Sequence, residues 1–274
     1  MNMTSVEAPR LRAAPERGFL AASALLFLVS TTATVAWRTS MSAMGEVPMP
    51  GGWTMSTAWM PICGQTWFGM AASFLGMWTV MMMAMMLPSL VPMLWRYRAV
   101  VRVGGECGEW QLGTLTVLAG LGYFLVWAAF GVAAFALGTT LTACEMHWPV
   151  VARAVPTATG SVILIAGALQ FTSWKIRQLA RCRDTPKPGR IAPANAGTAW
   201  RHGVRLGLQC SASCAGLMVI LLAAGVMDLR VMAAMTAAVT LERLSPTGER
   251  VARIIGAVAG GAGLSLIARA VMLG

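Results

Sequence analysis

The sequence predicts an all-α protein: a polytopic transmembrane bundle of about seven helices. Three observations carry that reading. Hydrophobic residues make up 57% of the 274 and charged residues only 11%, whereas about a quarter of an ordinary soluble domain is charged. Several apolar stretches reach the roughly 20 residues that a helix needs to cross about 30 Å of hydrocarbon. Lys and Arg also alternate from loop to loop as they do when basic loops stay in the cytoplasm.

The first span is 18–37, behind a basic tail at 1–17 read as cytoplasmic. The small residues at 34–36 resemble the end of a secretory signal. The apolar run is long for a signal core, however, so it reads as an uncleaved span. The outer loop up to residue 67 contains Met41, Met44, Met49, Met55, Met60 and Cys63 among Trp53, Trp59 and Trp67. Tryptophans belong at a membrane boundary, but five methionines in a water-facing loop have no such plain reason.

Spans two to six are 68–94, 113–142, 157–175, 204–227 and 229–244, which form a membrane domain over 68–246. The last span, 251–273, lies in the closing segment 247–274. The sixth, "LRVMAAMTAAVTLERL", has only 16 residues, with charge at both ends. If it is re-entrant, the spans number six.

Of the 21 Lys and Arg residues, 17 fall on one side of this topology. The four on the other side are Arg38, Arg153, Arg230 and Arg269. That places the N-terminus inside and the C-terminus outside a bacterial inner membrane. The net charge of +11 follows from this bias and from attraction to anionic lipid, so the partner it implies is the bilayer and not nucleic acid. The cytoplasmic loop at 176–203 is basic and rich in Pro and Gly. No nucleotide-binding glycine loop, catalytic triad or paired haem-type histidines occur, and the chain reads as a non-enzyme.

Three constellations suit a soft metal. On span five, "GLQCSASCAGLM" puts Cys210, Cys214 and Met218 at four-residue steps, hence on one helix face. Thiolate and thioether together select Cu(I), with zinc the weaker alternative. One helix supplies two or three ligands at most, so a partner is needed. Span two offers one in "TVMMMAMMLPSL". Met77, Met81 and Met85 follow the same four-residue step, and Met82, Met86 and Met93 form an adjoining line. Pro88 tends to kink that helix. Methionine is also an adaptable packer of apolar space, so filler is the competing reading.

The third constellation is Cys144, Met146 and His147, in "CEMH" at the outer end of span three. Cys63 lies on the same side, where a Cys63–Cys144 disulfide competes with metal binding. On the inner side, Cys182 lies between Arg181 and Arg183, a setting expected to lower its pKa, and it can join Cys210 in an inner-end site. Cys107 reads as incidental. Glu242 and Asp228 are carboxylates near membrane depth, and Glu242 reads as a helix-end ion pair with Arg243.

Several stretches together resemble a bacterial family described as predicted metal-binding integral membrane proteins, formally a domain of unknown function. They are "GMWTVMMMAMMLPSLVP", "GYFLVWAAFG", "ALQFTSWKIRQLARCRD" and "GLQCSASCAGLMVILLAAGVMDLRVMAAMTAAVTLERLSP". The resemblance implies metal binding and favours Met82, Met83, Met85, Met86, Cys182, Cys210, Cys214 and Met218. Gln178 and Ser213 stand where members commonly have Cys, a departure that weakens a thiolate-rich zinc site more than a thioether-rich copper site.

The expected function is a membrane protein that handles Cu(I) for uptake, export or delivery to a metalloprotein, with a metallochaperone or metalloprotein as partner. The alternative is a metal-free membrane scaffold or assembly factor, with methionines as packing and an outer disulfide. A subunit of a membrane redox complex is a third option.

Overall fold

The computed structural model describes residues 4–42, 46–49, 53–56, 66–103, 108–183, 195–226 and 228–273. Among them are eight helices: α1 (Thr4–Ser42), α2 (Trp67–Val103), α3 (Glu109–His147), α4 (Pro149–Leu169), α5 (Ser173–Arg183), α6 (Ala196–Ala224), α7 (Leu229–Leu244) and α8 (Gly248–Leu273). Six of them, α1, α2, α3, α4, α6 and α8, are long and apolar enough to cross a membrane. The all-helical expectation holds, with one addition in the segment between α1 and α2. Strands β1 (Glu46–Met49) and β2 (Trp53–Ser56) pair antiparallel there, Val47 opposite Met55. Met44, Met60, Cys63 and Cys107 lie outside the described residues.

The fourth span begins and ends earlier than the expected 157–175. Pro149 opens α4 at a position where a missing backbone N–H does no harm. The helix then closes through a tight turn at Gln170–Thr172, whose N–H groups donate to Gly167, Ala168 and Leu169. The residues assigned to the end of span four, Ser173 to Lys175, instead open the separate helix α5.

Helices α3 and α6 pack through small residues. Ala199, Gly203 and Gly207 form a buried line on α6, and a Cβ on Gly122 of α3 would stand 2.7 Å from the Trp200 carbonyl oxygen. Close backbone approach of this kind characterises helix contacts in membranes. Helices α4 and α8 meet the same way, antiparallel, with Gly167 against Gly256 and Gly260, and Gly160 against Gly263.

Helix α6 ends at Gly225, whose φ of 118° is a left-handed conformation that glycine adopts without strain. Asp228 then caps α7, accepting from Arg230 N at 2.7 Å and Val231 N at 3.4 Å. A helix cap, not a functional carboxylate, is what this acid supplies. The basic end of α2 is tied to α1 and to the acidic start of α3 by Arg102, which donates to Glu16 at 2.8 Å and to Glu109 at 3.0 Å. The core is gathered around α2, with contributions from α3, α6 and α7.

Candidate metal centre

The methionine run of α2 is buried. Met81, Met82, Met85 and Met86 are each 1% exposed or less, and Met70 and Met77 are also in the core. Lipid-facing filler would lie on the surface, as Leu25 and Leu28 of α1 do. The stripe on α6 is buried to the same degree at Cys210 and Cys214, with Met218 slightly less so.

The same helices stack the Tyr97 and His202 rings at 4.8 Å, and the two sulfur stripes touch where Cys210 Sγ lies 4.0 Å from Met86 Sδ. The Met77, Met81 and Met85 line shares the four-residue step of the α6 stripe, yet this contact comes from the adjoining Met82 and Met86 line. Cys214 follows Cys210 one turn along the same buried face of α6. Metal–sulfur bonds of about 2.3 Å at a trigonal angle separate two ligand sulfurs by about 4 Å. The Met86–Cys210 spacing therefore matches two ligands of one three-coordinate ion. Among the described residues, no group of three or more His, Cys, Asp or Glu side chains is placed to hold a metal. A three-ligand site at Cys210 accordingly draws on methionine sulfur.

Polar groups that the sequence did not single out surround the Cys210 sulfur. Tyr123, fully buried on α3, shares a hydrogen bond of 2.7 Å with Sγ. Arg243 of α7 donates to Sγ at 2.7 Å, to the Cys210 carbonyl at 2.9 Å, to Ser213 Oγ at 2.9 Å and to Ser89 Oγ at 3.2 Å. Its neighbour Glu242 pairs with Lys175 of α5 at 2.7 Å, and Lys175 also donates to the Ser213 carbonyl at 2.6 Å. The expected Glu242–Arg243 pair is thus replaced by two separate interactions. Adjacent residues project in different directions from a helix, so Glu242 reaches α5 and Arg243 reaches α2 and α6.

Cys182 does approach this cluster. Its Sγ donates to the Gln209 carbonyl at 3.0 Å and to Ser213 Oγ at 3.3 Å. The expected electrostatics are reversed, however. Arg181 is exposed, and burial pushes the Cys182 thiol up, with Arg243 working against that rise. A neighbour in sequence has little effect when its charge points into solvent.

The outer constellation lies elsewhere. Cys144 is a free, half-buried thiol; Met146 and His147 are exposed, and His147 Nδ1 hydrogen-bonds to the Ala143 carbonyl of its own helix at 2.9 Å. The 21 residues from Tyr123 to Cys144 span roughly 30 Å along α3. These side chains therefore belong to a different level of the bundle from Cys210. The alternative disulfide partner, Cys63, is outside the described residues.

The chain was compared with known proteins, and residues 75–266 match the PpoB2 family, described as a copper chaperone. The chain belongs to this family. The matched region runs from α2 to α8 and contains Met86, Tyr123, Lys175, Cys182, Cys210, Cys214 and Arg243. No curated protein and no solved structure matches the chain. Membership in a copper chaperone family agrees with the soft-metal chemistry expected from the Met and Cys stripes.

Proposed function

We propose that this protein is an integral membrane chaperone for Cu(I), which it holds at Cys210, Met86 and Cys214 for transfer to a copper-dependent protein. The observation that carries the reading is the buried sulfur pair at 4.0 Å, formed between the two stripes that the sequence marks as candidate ligands. Thioether and thiolate ligands suit Cu(I) over harder ions. The buried methionines of α2 supply an approach from the Trp67 end, along Met70, Met77, Met81 and Met82. Sites in series that bind weakly enough to release also suit transfer better than storage. In this reading the Met-rich outer loop captures the ion, and the bundle sits in the bacterial inner membrane with its N-terminus in the cytoplasm.

The test is anaerobic Cu(I) loading of the detergent-solubilised full chain against a competing chelator, with Zn(II) as control. About one copper per chain should be retained by the wild type, and Cys210→Ser should abolish retention while the protein stays folded. Met86→Leu should weaken it about tenfold or more, the loss of one ligand being worth at least about 1.4 kcal/mol. Equal copper retention by wild type and Cys210→Ser would remove the site. No retained metal in the wild type would favour the scaffold alternative.

A further inference from the structure

The Cys210 sulfur already has a cation on it. Arg243 approaches at 2.7 Å, a charge-assisted contact, from a side chain only 6% exposed. The guanidinium also has alternatives to hand: the hydroxyls of Ser89 and Ser213 and the Cys210 carbonyl. With the Cys210 sulfur counted as thiolate, the cluster holds two cations, Arg243 and Lys175, and two anions, that sulfur and the Glu242 carboxylate, so it is neutral before an ion enters. Like charges repel strongly where the dielectric is low. A third cation cannot join the sulfur while the guanidinium stays in contact with it.

We propose that Arg243 is the release gate of the copper site, occupying Cys210 Sγ when no ion is bound, withdrawing when Cu(I) takes the sulfur, and reclaiming it as the ion is handed on. This rests on the reading of Cys210 as a copper ligand. In the exchange, a Cu–S bond forms as one N–H···S hydrogen bond breaks. The sulfur is counted as thiolate in both states, and copper stays monovalent. The guanidinium keeps its proton and its hydrogen bonds to Ser89 and Ser213. Arg243 is thus a positioning residue and not a ligand. Its competition keeps a buried thiolate–thioether site exchangeable, as a chaperone requires.

The experiment measures the rate at which Cu(I)-loaded full-length protein gives up copper to a water-soluble chelator. Arg243→Gln should slow release by about tenfold, the factor expected for one charge-assisted hydrogen bond that no longer competes. Arg243→Lys, which keeps the charge but not the forked donor geometry, should release copper at a rate between those of wild type and Arg243→Gln. A residue that only clips α7 to its neighbours would lower stability in both variants without slowing release. Unchanged or faster release in Arg243→Gln overturns the gate.

Should Arg243→Gln fail to insert, hydrogen exchange on the wild type decides. Copper loading should raise exchange over Leu241–Ser245 as the guanidinium leaves the sulfur. Unchanged exchange or stronger protection there overturns the proposal. Loss of copper in Cys210→Ser with a normal release rate in Arg243→Gln rejects the gate alone. Copper retained by Cys210→Ser rejects the underlying site.

Discussion

Lys175 and Glu242 show how much a single side chain can matter in this bundle. Both are buried, at 4% and 3% side-chain exposure, and they meet at 2.7 Å. Breaking a buried pair by removing one partner typically costs about 3–5 kcal/mol, whereas replacing both with apolar residues is often neutral or favourable. Lys175→Met should therefore lower the thermal midpoint in detergent clearly, and Lys175→Met combined with Glu242→Leu should recover most of the loss. Equal destabilisation by the single and the double variant would show that the pair contributes little. The sulfur ligands of the candidate site were legible in the sequence because Met and Cys recur at helical spacing. Arg243 and Lys175 were not, because at the ends of apolar runs they count first as topology signals. What turns them inward is the tertiary packing of α5 and α7 against α6, which no local pattern in either helix encodes.

At the level of elements, the line Ala199, Gly203, Gly207, Cys210 and Cys214 does two jobs on one face of α6. Its small upper members let α3 approach, and its thiols face the space that this approach creates beside Tyr123. A Cβ at Gly203 would run into the Ala119 carbonyl, whereas one at Gly113 meets nothing within 4 Å. Gly203→Ala should thus destabilise by about 1–3 kcal/mol through overpacking. Gly113→Ala should be neutral or gain up to about 1 kcal/mol from helix propensity. Thermal unfolding of both variants checks this, and similar midpoints would argue against a tight α3–α6 contact. Long apolar runs made the helices readable, and the bounds expected at 229–244 are those of helix α7, though α7 is not among the six helices long and apolar enough to cross a membrane. The boundary of α4 was misread because Lys175 closes the apolar run and Pro149 and Pro156 resemble breaks. Proline at a helix start is tolerated, and the chain turns before Lys175 instead of after it.

For the whole molecule, the chain path bears on how often the membrane is crossed. Helix α7 has 16 residues, about 24 Å at 1.5 Å per residue, which is short of the roughly 30 Å hydrocarbon layer. In the seven-span topology we propose, it nevertheless carries the chain across. It starts beside the end of α6 at Ala224 and brings Arg243 level with Cys210. Helix α8 then begins near the turn that follows α4, since Gln170 packs on Gly256, and runs back antiparallel to α4 through Gly260 and Gly263. The charged end of α7 is sheltered by α2, α5 and α6, where Ser89, Lys175 and Cys210 receive it. A short helix can cross because its polar end is enclosed by protein instead of lipid. Seven crossings put the two termini on opposite sides, whereas a re-entrant α7 would put them together. We therefore expect a membrane-impermeant maleimide to label Gly274→Cys in intact cells, and to label Asn2→Cys only after permeabilisation. Labelling of both positions under the same condition would make α7 re-entrant and return the span count to six.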